Sequence, residues 1–268
     1  MGVAGQTDLH YELAGQGPPV VLLHEGIADS RMWEPQWRTF PPQYRVARYD
    51  MRGFGESPAP SGSFSHARDL VELLDGLALG PAALVGVSMG GAVALDVTID
   101  RPELVSALVL VGSGLRGHEF SPESEAGWAE EETALERGDL DAAVEVNLRM
   151  WVDGPHRSPE DVDRDVRRRV GEMQRRAFEL WQSGDPEATL EPLDPGWQAR
   201  LGEIRVPTLI VVGELDRPEM HEIADRLEAA IPNTRRALIE GTAHVPSMER
   251  PTEFDELVLG FLAEAQPA

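Results

Sequence analysis

Short apolar runs alternate along the chain with segments whose apolar residues recur at helical spacing. Each run is rich in β-branched residues and apolar at successive positions, which predicts strands buried on both faces within a parallel sheet. The runs cover residues 20–23, 44–49, 83–87, 108–111, 209–212 and 237–239. Strands that alternate with helices predict βαβ units. The predicted fold class is therefore α/β.

Two of the intervening helices are well marked. One carries leucine at positions 70, 73, 74 and 77, which share one face of a helix. The last helix begins at Pro251, and Thr252 and Asp255 have the spacing of a capping box. The start of the chain differs, because residues 8–14 precede a glycine-rich turn. This pattern predicts the arm of an antiparallel hairpin.

The alternation stops between residues 117 and 200, where the pattern is helical almost throughout. Leu140, Val144, Leu148 and Trp151, for example, share one face of a predicted helix. An all-helical insertion between two strands of a parallel sheet predicts a cap over an active site.

The predicted domains are an α/β core of residues 1–116 and 201–268 and a helical cap of residues 117–200. Three tryptophans of the cap, Trp128, Trp151 and Trp181, either line an apolar pocket or pack in the core.

Composition removes several classes of function. The formal net charge of −23 makes nucleic acid and anionic membranes poor partners. The chain has no cysteine and no lysine, so it has neither a thiolate nucleophile nor a lysine that could form a Schiff base. No apolar run is long enough to span a bilayer, and the first residues lack the basic and apolar regions of a signal peptide. We therefore expect a cytoplasmic protein; the sequence does not predict an oligomeric state.

A candidate nucleophile lies in the segment Gly86-Val87-Ser88-Met89-Gly90, which has the spacing G-x-S-x-G. Ser88 follows a predicted strand and precedes a predicted helix. A sharp turn at this point would expose the hydroxyl at the carboxyl end of the sheet, and glycines two positions away leave room for the strained backbone. The alternative is an ordinary strand-to-helix turn without a catalytic role.

Two segments carry a resemblance to a known family. Residues 85–91 resemble the nucleophile elbow of α/β-hydrolases, and residues 49–57 resemble the D-x-R-G-x-G-x-S loop of that family. The resemblance extends from about residue 9 to residue 262, is weakest in the cap, and is to small bacterial serine esterases and enol-lactonases. It implies an α/β-hydrolase fold, with a mostly parallel central sheet flanked by helices, and a triad in the chain order serine, acid, histidine.

A serine nucleophile needs a base, and the base needs an acid that orients it. His244 is the candidate base, since residues 241–244 follow a late strand and resemble the histidine loop of the family. His221 also follows a late strand, but it is predicted on the surface of a helix. Asp216 occupies the acid position of the family, and Glu214 is the alternative acid. A structural histidine and a simple turn aspartate are the non-catalytic interpretations.

Two backbone N–H groups are implied for the oxyanion hole. One belongs to Met89, directly after the nucleophile. The other lies in His24-Glu25-Gly26-Ile27, where the family often has His-Gly-x. Gly26 occupies the donor position, with Glu25 and Ile27 as alternatives. Since an inward carboxylate would disfavour an oxyanion, we expect the Glu25 side chain to point to solvent or to pair with an arginine.

These residues predict a serine hydrolase that acts on a small-molecule carboxylic ester or lactone, without a cofactor or a metal. Ser88 would attack the carbonyl, His244 would transfer the proton and Asp216 would orient His244. Hydrolysis of C–C bonds or thioesters and perhydrolysis can use the same triad, so they stay open. Epoxide and dehalogenase chemistry is disfavoured because those relatives use a nucleophilic aspartate. A catalytically inactive ligand-binding relative is the alternative from another class.

Overall fold

The computed structural model describes residues 2–3, 8–191 and 197–265. Within these residues the strands β1 to β10 are, in chain order, Gly2–Val3, His10–Ala14, Pro19–Leu23, Arg45–Tyr49, Ser63–Phe64, Ala82–Val87, Val105–Val111, Thr189–Leu190, Thr208–Gly213 and Thr234–Ile239. The helices α1 to α9 are Gln36–Thr39, His66–Leu77, Met89–Asp100, Pro122–Glu136, Leu140–Asn147, Arg164–Ser183, Pro218–Ala230, Pro246–Glu249 and Pro251–Ala265. A π-helical turn, Leu148–Asp153, follows α5.

The main sheet has eight strands in the order β1-β2-β4-β3-β6-β7-β9-β10. From β4 to β10 all neighbouring strands are parallel, while β2 and β1 add an antiparallel edge. The central strand β6 is buried along its whole length, as its continuous apolar run predicts. The α/β class with a mostly parallel sheet is thereby confirmed.

Two expectations about the edges of the sheet were wrong. The strand β2 is antiparallel to its neighbours as expected, but it pairs with β1 and β4 rather than across the glycine-rich turn with β3, the strand that follows it. The apolar β3 lies between β4 and β6, where both of its faces are covered, and the more polar β2 is left outside. At the other edge β10 is only partly buried, and Leu238 is 47% exposed, because an edge strand needs no apolar partner on its outer side.

The predicted capping box at the last helix is also absent. Helix α9 begins at Pro251, so Thr252 lies inside its first turn. The Asp255 carboxylate instead accepts hydrogen bonds from Gln36 Nε2 at 2.8 Å and Thr39 Oγ1 at 2.7 Å. This aspartate therefore ties α9 to α1 rather than capping its own helix.

The segment between β7 and β9 is mostly helical, as the sequence predicts. It contains α4, α5, the π-helical turn and α6, and its one described strand, β8, pairs in parallel with β5. Residues 192–196, which fall inside the predicted cap, lie outside the described residues. None of the helices in the described ranges combines the length and the apolarity needed to cross a membrane.

Parallel strands bring the loops at their carboxyl ends to one edge of the sheet. The loops after β3, β6, β9 and β10 contain Gly26, Ser88, Asp216 and His244, respectively. These residues are far apart along the chain, and the direction of the strands brings them together.

Candidate active site

Ser88 occupies a strained turn between β6 and α3. Its φ of 51° and ψ of −112° lie in a region that side chains other than glycine rarely adopt. The turn can close because Gly86 and Gly90 have no side chains: a Cβ on Gly86 would overlap the Gly90 carbonyl, and one on Gly90 would lie 2.5 Å from the carbonyl oxygen of His24. Met89 is the first residue of α3, so its N–H has no partner within the helix.

Asp216 and His244 form a buried pair. His244 Nδ1 lies 2.9 Å from Asp216 Oδ2, and Asp216 Oδ1 accepts a hydrogen bond of 2.8 Å from the Arg217 N–H. Burial lowers the pKa of His244, but the charge and hydrogen bond of Asp216 outweigh this effect, and Glu25 adds to them, so that the pKa is raised. The rival acid, Glu214, is exposed and accepts a hydrogen bond from a loop N–H.

The loop before His244 is held by a second buried ion pair. Glu249 accepts a hydrogen bond of 2.9 Å from the Ala243 N–H and pairs with Arg157 at 2.5 Å. Arg157 also donates to the carbonyl of Gly241 in the same loop. From the helical segment, the ring of Trp151 lies 4.6 Å from the His244 ring. No local motif marks Arg157 or Glu249, because their contact depends on two segments that meet only in the fold.

His24 fixes the loop after β3. Its Nε2 accepts a hydrogen bond of 2.9 Å from the Met51 N–H, and its Nδ1 lies 2.7 Å from the Glu25 carbonyl oxygen. This pattern requires a neutral ring that donates from Nδ1, in keeping with burial, which lowers the pKa of His24. In a trans peptide the N–H points away from the carbonyl of the same unit. The Gly26 N–H is therefore directed away from His24.

Ser88, Met89, Gly26 and His244 all border one space, which we call the Ser88 cavity, with a volume of about 270 Å³. The neighbouring Ile27 lines it as well. Gly26 lies close to Met89, since a Cβ on Gly26 would be 3.9 Å from the Met89 side chain. The structure therefore brings the predicted nucleophile, base, acid and oxyanion donors together, whereas His221 lies on α7 and does not line the cavity.

The expectation for Glu25 was wrong. Its side chain is 0% exposed, and neither carboxyl oxygen has a hydrogen-bond partner. It lines the Ser88 cavity, with Oε2 at 3.8 Å from His244 Nε2, and no arginine pairs with it among the described residues. Burial raises the pKa of Glu25 to about 7, although His244 opposes the shift. A buried carboxyl group thus borders the site without a hydrogen-bond partner, and in the described part of the chain the His244 ring is the only basic group within ion-pair distance of it.

The raised pKa of Glu25 makes the free energy of unfolding depend on pH. The folded protein holds a proton on Glu25 that the unfolded chain releases above a pH of about 4.5, so Glu25 costs stability as the pH rises towards about 7. We expect Glu25→Gln to be more stable than the wild type by on the order of 3 kcal/mol at about pH 8, and by only about 1 kcal/mol at about pH 5. Urea unfolding at both pH values measures the difference, with the exposed Glu132→Gln as the matched control. A gap of the same size at both pH values would contradict the assignment.

The cavity also contains polar residues that no sequence motif marks. Glu131, Asn147 and Gln174 come from α4, α5 and α6, and each lines the Ser88 cavity. One signal was present: Gln174 interrupts the apolar stripe of α6 beside Met173, and a polar residue on a buried face often contacts a ligand or a partner. Of the three tryptophans considered, Trp128 and Trp151 line the cavity, while Trp181 packs near Gly53.

Among the described residues no group of three or more His, Cys, Asp or Glu side chains could hold a metal ion. The polar groups around Ser88 are instead suited to proton transfer, because a serine hydroxyl and an acid-oriented imidazole border the same space. The arrangement resembles the geometry used for acyl transfer.

Comparison with known proteins places this geometry in a family. A sequence model of the alpha/beta hydrolase fold matches residues 18–251. RutD of Azorhizobium caulinodans, provisionally named a carbamate hydrolase, is 27% identical, and the alignment covers 97% of each chain. The 2-hydroxy-6-oxo-6-phenylhexa-2,4-dienoate hydrolase of Comamonas testosteroni is 28% identical over 96% of this chain and 91% of that protein.

Solved structures agree with the sequence comparisons. Est816, described as an N-acyl homoserine lactone degrading enzyme, has a TM-score of 0.74 and 26% identity, and the match covers 96% of this chain and 99% of Est816. The names of these three proteins describe different reactions, so the likeness identifies a family and leaves the reaction open. The resemblance predicted from the sequence is confirmed: the chain belongs to the alpha/beta hydrolase fold family.

Proposed function

We propose that the protein is a serine hydrolase that cleaves a carboxylic ester or lactone through an acyl-enzyme intermediate. One observation carries the proposal: Ser88, on a strained turn, borders the same cavity as His244, whose Nδ1 is hydrogen-bonded to Asp216. A base oriented by an acid, beside a serine that borders the same cavity, is the arrangement that activates the hydroxyl.

The proposed reaction has two acyl transfers. Ser88 Oγ attacks the carbonyl carbon while His244 Nε2 takes the hydroxyl proton, and Asp216 holds the imidazole in the tautomer that can accept it. The tetrahedral intermediate collapses, the C–O bond to the alcohol breaks, and His244 gives its proton to the departing oxygen. A water molecule, deprotonated by His244, then attacks the acyl-enzyme and releases the acid and Ser88. The reaction needs no cofactor.

The oxyanion is proposed to bind between the N–H groups of Gly26 and Met89. The orientation of the Gly26 peptide by His24, the free N–H at the start of α3 and the proximity of the two residues support this assignment. The neighbouring amides of Glu25 and Ile27 are the alternatives. Each donor in such a hole is worth about 3 kcal/mol in the transition state.

The helical segment of residues 117–200 is proposed as a cap on a core of residues 1–116 and 201–268. Support comes from the walls of the Ser88 cavity, since Trp128, Glu131 and Trp151 all belong to this segment. The His244 N–H also donates a hydrogen bond of 3.3 Å to the Trp151 carbonyl. A cap in this position would select substrates while the core carries out the chemistry.

This division of roles predicts the effect of removing Trp128. Trp128→Ala enlarges the cavity, so we expect the ratio of kcat/KM between long and short acyl chains to change by about tenfold. The rate of labelling by a small fluorophosphonate should stay nearly constant, because the acylating groups are unchanged. A series of p-nitrophenyl esters of graded length gives the profile. Trp181→Ala is the matched control and should keep the wild-type profile; an unchanged profile for Trp128→Ala would remove the cap as the determinant of specificity.

Hydrolysis of C–C bonds is an alternative on the same triad, and one relative is a dienoate hydrolase by name. A dienoate carries a carboxylate, whereas no arginine is among the residues that line the Ser88 cavity, which include Glu25 and Glu131. This charge favours an ester or lactone without a carboxylate. Thioester hydrolysis and perhydrolysis stay alternatives.

A screen of p-nitrophenyl esters and small lactones tests the proposal. A fluorophosphonate label distinguishes a serine hydrolase from a catalytically inactive ligand-binding protein. We expect turnover of at least one ester or lactone and a single label on Ser88. A protein that binds such compounds without turnover or labelling would be a ligand-binding relative instead.

A further inference from the structure

The wall of the Ser88 cavity contains three buried acceptor atoms that have no hydrogen-bond partner. Both carboxyl oxygens of Glu25 and Oε1 of Gln174 are buried and have no hydrogen-bond partner. Glu25 is 0% and Gln174 is 4% exposed, so solvent does not replace the missing partners. Glu131 adds a second carboxyl group to the same wall. A buried acceptor without a partner is costly, and a ligand that brings hydrogen-bond donors or positive charge would remove that cost.

Positive charge is scarce on this wall. Of the residues that line the cavity only His244 can carry it, and His244 already pairs with Asp216. Arg217 lies behind the wall, with its guanidinium 5.8 Å from the Trp151 ring, and it donates to the Ser124 hydroxyl. A ligand carboxylate would therefore meet the carboxyl groups of Glu25 and Glu131 without a compensating cation.

Aromatic rings complete the wall. Trp128 is 36% exposed and lines the cavity beside Trp151, with 6.5 Å between the ring centroids. The negative face of an indole attracts cations, and a carboxylate beside such a ring strengthens the attraction. Carboxyl groups and indole rings around one space suit an ammonium group better than they suit a neutral apolar group.

The position of Glu25 indicates which part of the substrate carries the charge. Its Oε2 is 3.8 Å from His244 Nε2, the nitrogen that would return a proton to the departing oxygen. We propose that the substrate is an ester whose leaving alcohol carries an ammonium group, and that Glu25 and Glu131, with the ring of Trp128, bind that group. This inference rests on the proposed hydrolase function for the placement of the leaving alcohol.

The protonation of Glu25 gives the site a signature. The charged groups that act on Glu25 are His244, which favours its charged form, and Asp216 and Glu249, which oppose it; Glu249 is itself paired with Arg157. Because the pKa of Glu25 is about 7 in the free protein, the carboxyl group is largely neutral below that pH and charged above it. A bound cation stabilises the charged form, so binding near pH 7 expels a proton. The preference for a cation also rises as the pH increases through 7.

A matched pair of substrates tests the preference. Acetylcholine and 3,3-dimethylbutyl acetate have the same shape, and the charge of the quaternary nitrogen does not change with pH. We expect kcat/KM to favour acetylcholine by at least about tenfold at pH 8 and by less at pH 6. Glu25→Gln should reduce the ratio to about threefold or less, and Glu131→Gln should reduce it in part. Glu132→Gln, which removes the same charge from an exposed site on α4, should leave the ratio unchanged.

Binding to Ser88→Ala separates this inference from the proposed reaction. Calorimetry in two buffers of different ionisation enthalpy should detect proton release with acetylcholine and none with the neutral ester, and Glu25→Gln added to Ser88→Ala should abolish the release. If acetylcholine binding released a proton but the wild type hydrolysed no ester, the ammonium site would be supported and the hydrolase proposal would be rejected.

Three results would overturn the inference. The first is equal kcat/KM for the two acetates together with no proton release. The second is a preference for an anionic ester such as monoethyl succinate. The third is a preference for a cation that appears only when the cation is in the acyl part. The ethyl ester of betaine and its neutral isostere, ethyl 3,3-dimethylbutanoate, test this case.

Discussion

Ser88→Ala is expected to abolish ester and lactone hydrolysis, with a loss in kcat of about 10⁴- to 10⁶-fold. Without the hydroxyl no acyl-enzyme can form, and only binding and the oxyanion donors are left to accelerate attack by water. Measurement of kcat on the best ester from the screen, together with fluorophosphonate labelling followed by mass spectrometry, gives the result. Circular dichroism should match that of the wild type, because the turn is built by the neighbouring glycines and retains its hydrogen bonds.

The matched control is Ser106→Ala. Ser106 is half-buried in β7, at the opposite end of that strand from the loops that surround Ser88. It should keep wild-type activity and labelling. Activity of more than a few per cent in a correctly folded Ser88→Ala protein would falsify the assignment of the nucleophile.

The second large effect concerns the buried pair. His244→Ala should lose about as much activity as Ser88→Ala, and the double variant should lose little more, because the members of a triad act as a unit. Asp216→Asn should lower kcat by about 10⁴-fold, since an amide next to Nδ1 favours the wrong tautomer of His244. Values of kcat and KM for the two single variants, the double variant and Asp216→Asn measure these losses.

Glu214→Gln is the control for the acid. Glu214 is two positions from Asp216 but exposed, and it accepts a hydrogen bond from the Gly241 N–H. Its replacement should have a mild effect. If Glu214→Gln were more damaging than Asp216→Asn, or if the losses in the double variant were additive, the roles proposed for Asp216 and His244 would be wrong.

Most of the secondary structure could be predicted because burial leaves a local pattern. The apolar run at 83–87 is the strand Ala82–Val87, and the leucines at 70–77 lie on the helix His66–Leu77. The errors concern partners distant in the chain. Whether His10–Ala14 pairs with the next strand or with Arg45–Tyr49 depends on which strand is best buried beside them, and no short window of sequence contains that comparison.

The residues of the candidate site also fall into two groups, those that lie in a local motif and those whose neighbours come from distant segments. Ser88 and Gly26 could be predicted as site residues because each lies in a short motif that resembles a motif of the α/β-hydrolases. Glu131 and Gln174 could not, because each belongs to a helix whose neighbours around the cavity come from other segments. Glu25 is the sharpest case: its unusual position in the motif was visible, but the direction of its side chain was predicted incorrectly.

The sequence by itself determined the α/β class, the strained turn at Ser88 and the order of the candidate triad along the chain. The α/β class and the turn follow from periodicity and from the spacing of glycines, which act over a few residues, whereas the order of the triad follows from the resemblance to α/β-hydrolases. Only the tertiary structure decided that Glu25 faces His244 and that Trp128 and Glu131 share its cavity. A side chain's surroundings depend on segments that approach it in space, and burial then sets its charge and the ligands that it can accept.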